Sequence, residues 1–400
     1  MKIIWIFNHY ATKPDEPNTR DFDIARQLAK KGDRITIFAS AFSHYKQKIK
    51  YLKSHEDWKT EELDGVKFFW IRAFPYEKNN WKRFLNMISY SYRVFKLAKK
   101  IDENPDIIIG TCVHPFAALV AYFVSKKKRC RFFFMVRDLW PQTLVDIGYL
   151  SSNNPFVWIL AKLEKFLYNK AEKIITVLPN AGDYITGLGI PKEKIIWIPN
   201  GVDLSRYADI KEYKGGNTDN FVFMYTGIFA NYANLDIVLK AAKILKDKGK
   251  NNIKFILIGD GLEKENLVKM AEDLGVSNVE FRNMVPKNEI FKIMEEADAF
   301  ISIIKDMPVL KYGISSNKLN DYMASGRPVI FAVNAKNNPV EESRAGITIP
   351  PGNDHALAEA CEKIISLPLE ERIEMGKRGM EYIKKNHNIE TVAQKMASLF

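Results

Sequence analysis

Ser315, Ser316, Asn317 and Lys318, with Asp321 following, have the residue types and spacing to do chemistry. Serine and asparagine are helix N-cap types, so a helix opening here presents backbone N–H groups that lack partners within the helix. Such an end holds anions, and Lys318 adds a full positive charge beside it. Asp321, about one turn along the same face, offers a carboxylate to sugar hydroxyls. The pattern fits the diphosphate of a nucleotide at Ser316, Asn317 and Lys318, with its ribose at Asp321. An ordinary capped helix with a solvated lysine fits the same letters equally well. Gly326-Arg327-Pro328 then breaks the helix before the apolar run Val329-Ile330-Phe331.

Positioning such a helix takes a scaffold, and 400 residues are too many for one core. The first half alternates apolar runs with helical patterns, as parallel α/β units do. Strands are predicted at Lys2–Phe7, Ile35–Ala39, Phe68–Arg72, Asp106–Gly110, Arg131–Val136, Lys173–Val177 and Lys194–Ile198, with a helix over Asp21–Lys31. A doubly wound sheet binds ligands at the carboxyl ends of its strands. That rule picks out Asn8, His9 and Tyr10, then His114, then Arg137 and Asp138. A lone histidine is more often structural, and Asp138 is equally a helix cap or a salt-bridge partner of Arg137.

The polar run 208–220 reads as a linker, after which the alternation restarts. Strands follow at Phe221–Thr226, Lys254–Ile258, Val279–Phe281, Ala299–Ile304 and Pro328–Val333. Helices are predicted at Leu235–Lys246, Lys264–Leu274, Lys287–Glu296, His355–Ile365, Leu369–Asn386 and Glu390–Leu399. The expected organisation is a Rossmann-like lobe over 1–205, a second over 206–380, and a C-terminal helix over 381–400 that packs back on the first lobe. Two such lobes imply a cleft between them.

Charge is distributed unevenly. Residues 1–200 hold 33 Lys and Arg against 20 Asp and Glu, a net of +13, while residues 201–400 hold 27 against 28, a net of −1. The first half should therefore face something anionic. Over 78–100, Trp81, Phe84, Leu85, Ile88, Tyr92 and Phe95 recur at helical spacing among Lys82, Arg83, Arg93, Lys96, Lys99 and Lys100. This segment either lies in an anionic headgroup layer or packs on the core with its basic side solvated. The N-terminal run lacks the features of a signal peptide, and Phe116–Val124 is too short to cross a bilayer. Cys112, Cys130 and Cys361 form no disulfide or metal pattern. A cytoplasmic protein, peripheral at the inner face of the membrane, is expected.

Ile198-Pro199-Asn200-Gly201-Val202-Asp203, Tyr225-Thr226-Gly227, Leu257-Ile258-Gly259-Asp260-Gly261, Val285-Pro286, Ala297-Asp298 and Asp321-Tyr322-Met323-Ala324-Ser325-Gly326-Arg327-Pro328 occur in that order. In that order and spacing the chain resembles the family 4 glycosyltransferases of GT-B fold, which transfer sugars from nucleotide donors with retention. Arg137-Asp138-Leu139-Trp140-Pro141 and the run from Ser316 to Ala324 resemble the branch that transfers N-acetylated deoxyamino sugars, such as N-acetylfucosamine, in bacterial surface polysaccharide assembly. Two departures stand out. The family's glutamate pair spaced eight apart falls on Gly313 and Asp321, and the loop Ile228–Asn234 lacks the usual Arg and Lys. Lys311 or Arg20 is then expected to help Lys318 neutralise the diphosphate.

The resemblance implies a UDP-sugar donor and a lipid-linked (polyprenyl diphosphate) or saccharide acceptor in capsule or O-antigen assembly. It gives His114 a contact to the donor sugar and Asp138 a part in orienting sugar or acceptor, with Asn8, His9 and Arg20 towards the acceptor. Gly227, Gly259, Asp260, Gly261, Met284 and Val285 join Ser316, Asn317 and Asp321 around the nucleotide, and Lys318 meets the diphosphate. The diphosphate leaves without a metal, since no Asp-x-Asp motif stands where one would be needed, and no cofactor is expected. A nucleotide-sugar epimerase of related fold would share the donor site and act without an acceptor. A nucleic-acid binder would suit the pI of about 9.2 but lacks any recognised motif.

Overall fold

The computed structural model describes the chain except residues 15, 17, 45, 46, 78–80, 113 and 216–219. The start of the basic aromatic segment (78–80) and part of the linker (216–219) thus lie outside the described residues. The chain forms two compact units, Met1–Gly201 with Ile389–Phe400, and Val202–Asn388.

The first unit is built on an eight-stranded sheet. Its order is Ile195–Trp197, Lys173–Thr176, Arg131–Val136, Ile107–Cys112, Ile3–Phe7, Arg34–Ser40, Val66–Ile71 and Trp58–Leu63. Every neighbouring pair is parallel except the last. Runs such as Arg-Phe-Phe-Phe-Met-Val are covered on both faces, as a parallel sheet requires. Trp58–Leu63 is an edge strand absent from the sequence expectation. It pairs antiparallel to Val66–Ile71 across Asp64-Gly65, whose φ values of 48° and 78° make a tight hairpin turn. Its Lys, Thr and Glu side chains face solvent and protect the open edge.

Helices Arg20–Lys30 and Ile389–Ala397 bury Phe22, Ile24, Val392 and Met396 in one core with the strands. Helices Trp81–Ala98, Pro115–Lys128 and Pro155–Lys170 cover the opposite face. The first of these buries Met87, Tyr90, Val94 and Ala98. The apolar stripe singled out in the sequence, Trp81, Phe84, Ile88 and Tyr92, is its outward side. No helix among the described residues is long and apolar enough to cross a membrane.

The second unit holds a six-stranded, all-parallel sheet. Its order is Val279–Arg282, Ile253–Asp260, Phe221–Ile228, Ala299–Ile303, Val329–Ala332 and Gly346–Ile349. The chain winds one way from Phe221–Ile228 and the other way from Ala299–Ile303. The topological switch point, where α/β sheets form a ligand crevice, therefore lies between these two strands.

Candidate functional site

At that switch point the strands part. Phe221–Ile228 pairs with Ala299–Ile303 only through Phe223 with Ala299 and Met224 with Phe300. Beyond this, the hydroxyl of Tyr322 serves Thr226 in place of a strand. It accepts the Thr226 N–H at 2.7 Å and donates to the Thr226 carbonyl at 2.9 Å. The Tyr322 ring stacks on Phe300 with centroids 4.4 Å apart. Tyr322 belongs to the helix Asn317–Ala324, so the same phenol fixes where that helix begins.

Ser316 caps this helix, its hydroxyl accepting the Leu319 N–H at 3.3 Å. The first bond of the helix runs from the Asn320 N–H to the Ser316 carbonyl, so the amides of Asn317 and Lys318 precede it. Asn337 clamps the approach by bonding both the N–H and the carbonyl of Ile314. The Lys318 ammonium donates to the Tyr225 hydroxyl at 3.0 Å and lies 4.3 Å from the centre of that ring. Burial pushes its pKa down to about 8. A partly desolvated cation beside a helix N-terminus attracts an anion.

Asp321 is half-buried, and its Oδ1 accepts the hydroxyl of Tyr207 from the short turn Leu204–Tyr207. Gly259 and Gly261 have a packing reason for being glycine. A Cβ on Gly259 would lie 1.8 Å from the Gly227 carbonyl oxygen, and one on Gly261 2.4 Å from that of Phe229. Asp260 is exposed and caps the Gly261 N–H. Lys264 joins this loop to the next, bonding the Asn283 side chain at 2.7 Å and the Gly259 carbonyl at 3.3 Å. Met284 and Val285 follow directly, Met284 being 43% exposed. The second unit therefore gathers Gly227, Gly259, Asp260, Gly261, Met284, Val285, Ser316, Asn317, Lys318 and Asp321 at the carboxyl edge of one sheet.

The missing glutamate has a backbone cause. Gly313 has φ 98° and ψ 174°, a region essentially confined to glycine. The uncharged loop after Phe221–Ile228 is met by a cation the sequence reading missed. Lys305 bonds the Asn231 side-chain oxygen at 2.7 Å, and its N–H bonds the Tyr232 carbonyl at 2.9 Å. Its signal was its place as the first basic residue beyond a strand bordering the switch point.

In the first unit, His114 and His9 meet where Ile107–Cys112 and Ile3–Phe7 end. His9 Nδ1 and His114 Nε2 are 2.6 Å apart, and both rings are buried. Burial, with the Arg83 charge, pushes His114 down to about 3, and His44 beside this pair falls to about 2. The rings are thus neutral, and His114 Nδ1, like His9 Nε2 and His44 Nε2, has no partner among the described residues. Asp138 forms no ion pair with Arg137 among those residues and caps no helix. Its carboxyl is raised by burial, with the Arg137 charge opposing.

Two expectations are corrected. Arg20 is buried and spends its guanidinium inside its own unit, not on a diphosphate or an acceptor. Its guanidinium bonds Asp21, the Met135 sulfur and the carbonyls of Ile198 and Pro199. Asn8 is likewise enclosed, donating to Asp21 and accepting the Tyr10 N–H. These polar side chains join strand ends inside the unit because buried polar groups need partners.

Glu164 is another buried acid in this unit, accepting the hydroxyls of Tyr168 and Tyr184 at 2.9 Å each. Burial drives its pKa from 4.5 up to about 8. The folded chain then holds a proton that the unfolded chain releases above pH 4.5. This contribution to stability is complete below that value and is lost as the pH rises through about 8. Its slope in between is about 1.4 kcal/mol per pH unit. Glu164→Gln should flatten the thermal midpoint between about pH 5 and 8 relative to the parent chain, read by scanning calorimetry.

Residues 22–206 match the family model Glycosyltransferase Family 4, and residues 220–366 match Glycosyl transferases group 1. WcaI of Escherichia coli, named for colanic acid biosynthesis glycosyl transfer, is 20% identical over 385 residues, covering 92% of this chain and 93% of its own. The sucrose-phosphate synthase of Thermosynechococcus elongatus superposes with a TM-score of 0.78 at 16% identity, covering 100% of this chain and 98% of that one. Anabaena Alr3699/HepE, solved with UDP and glucose, gives 0.70 at 18% identity, covering 100% and 99%. The fold is GT-B.

Proposed function

From a chain that carries glycosyltransferase family 4 and group 1 domains in one GT-B fold, we infer transfer of a sugar from a UDP-sugar to a saccharide or lipid-linked acceptor in bacterial surface polysaccharide assembly. The observation that carries this is Lys318, a partly desolvated cation at a helix N-terminus beside the switch point of a parallel sheet. In this reading the diphosphate takes the amides of Asn317 and Lys318, the Ser316 end and the Lys318 ammonium, with Lys305 near its outer side. Breaking the sugar–phosphate bond leaves charge on the diphosphate, and these fixed donors stabilise it without a metal. Asp321, steadied by Tyr207, receives the ribose hydroxyls. The loops at Gly259-Asp260-Gly261 and Met284-Val285 take the base. His114, neutral, hydrogen-bonds the donor sugar through Nδ1, Asp138 orients sugar or acceptor, and the anomeric configuration is retained. The Arg137–Pro141 run supports an N-acetylated deoxyamino hexose as the sugar.

Incubation with a panel of UDP-sugars and a polyprenyl-diphosphate-linked or saccharide acceptor tests the reading. UDP release that depends on acceptor is expected, with an axial or equatorial linkage in the product that matches the donor. An isomerised donor formed without acceptor would replace this function with epimerisation. Asp321→Ala should weaken UDP binding roughly tenfold by titration calorimetry, the worth of one hydrogen bond to a charged group. Unchanged affinity in a folded variant removes the ribose role.

A further inference from the structure

Helices Trp81–Ala98, Pro115–Lys128 and Pro155–Lys170 contain ten lysines and arginines and a single acidic residue. That residue, Glu164, is buried and bonded to two tyrosines, so the outer surface of all three helices carries no carboxylate. The helices are neighbours, and their first turns meet. Phe84 lies 5.4 Å from Phe116 and 5.8 Å from Phe156, ring centre to ring centre. Large apolar side chains stand outward around this junction and along the helices: Trp81 is 67% exposed, Trp158 63% and Ile159 62%, with Tyr92 and Phe123 beyond them. Lys96 lies over the Tyr92 ring and Lys99 over the Phe95 ring, so each ammonium rides at the rim of an aromatic side chain. Ordinary solvated helices interleave both signs of charge and keep indoles covered.

We propose that this three-helix face docks the first unit on a bilayer of anionic phospholipid. Trp81, Trp158 and Ile159 enter the interface, where indoles are favoured, and the lysines meet lipid phosphates while their stems cover the apolar border. A second copy of the chain is disfavoured because two such faces would bring only cations together. A nucleic acid would satisfy the charge but leaves the exposed aliphatic side chains Ile88 and Ile159 without a role. The inference stands on the first unit alone and is independent of the donor-site reading.

The full chain should float with phosphatidylcholine vesicles containing phosphatidylglycerol at low salt, remain behind with phosphatidylcholine alone, and be released at high salt. The double variant Trp81→Ser, Trp158→Ser and the triple variant Lys96→Glu, Lys99→Glu, Lys100→Glu should each lower partition by roughly tenfold or more. Reversing Lys377, Lys384 and Lys385 to Glu in the second unit should change nothing. In the unaltered chain, brominated phosphatidylglycerol should quench tryptophan fluorescence, a readout that needs no variant. Equal binding to neutral vesicles, no quenching, or equal loss on reversing the second-unit lysines overturns the proposal. So does a monomer–dimer equilibrium, or retained RNA, that the tryptophan variants abolish while vesicle binding persists.

Discussion

Changing Lys318 to Met is expected to lower kcat/KM for sugar transfer by about 10²–10³, the usual cost of removing one preorganised donor from a developing anion. The fold should survive, because the lysine contributes one hydrogen bond to Tyr225 and one ring contact, both at its charged end. A pH signature separates this role from a structural one. Burial holds the ammonium near pKa 8, so its charge fades as the pH rises through that value. UDP affinity should therefore fall above about pH 8 in the parent chain, and uptake of a proton should accompany binding there, since a bound diphosphate draws the pKa back up. Both effects should be absent in Lys318→Met. Titration calorimetry in buffers of different ionisation enthalpy reads them together. Parallel pH profiles in parent and variant would deny Lys318 contact with the nucleotide.

The second large effect is mechanical. In Gly259→Ala the new methyl would lie 1.8 Å from the Gly227 carbonyl oxygen and 2.9 Å from the Phe229 ring. The carbonyl cannot rotate away, since Gly227 sits in the parallel register of Phe221–Ile228 on Ile253–Asp260. Destabilisation of about 3 kcal/mol or more is expected, the upper end for overpacking. That corresponds to a drop of roughly 10 °C in the melting of the second unit. Gly275→Ala is the control: nothing lies within 4 Å of its Cβ position, and only its φ of 64° is strained. It should cost about 1 kcal/mol. Scanning calorimetry of the two variants side by side checks the contrast, and equal losses would mean that backbone conformation, not the clash, decides.

The parallel strands were legible because burial on both faces writes them as unbroken apolar runs, as in residues 132–136 and 255–258. Trp58–Leu63 and Gly346–Ile349 were not, since an edge strand buries only part of itself: the first keeps Lys, Thr and Glu in its letters, and the second is a four-residue Gly-Ile-Thr-Ile run. The start of the Asn317–Ala324 helix was readable from its cap residues. The wrong expectations for Asn8 and Arg20 share one cause. Asn8 follows a strand and Arg20 opens a helix, and at either place a polar side chain looks the same in sequence whether it awaits a ligand or bonds a neighbouring element. Gly313 posed a related difficulty, because a dihedral angle leaves no mark on the sequence beyond the glycine itself. Lys305 was passed over because its proximity to Asn231 spans 74 residues of chain.

Tyr322 carries a consequence for energetics. Its hydroxyl, and not an incoming molecule, satisfies the Thr226 backbone where the two strands diverge, so the opening is part of the resting architecture. A molecule seating itself there spends little of its interaction energy on prising the backbone apart, and its association heat should carry no contribution from opening the sheet. Clipping the single oxygen with Phe at this position would strand a buried peptide unit and invite the seam to zip shut.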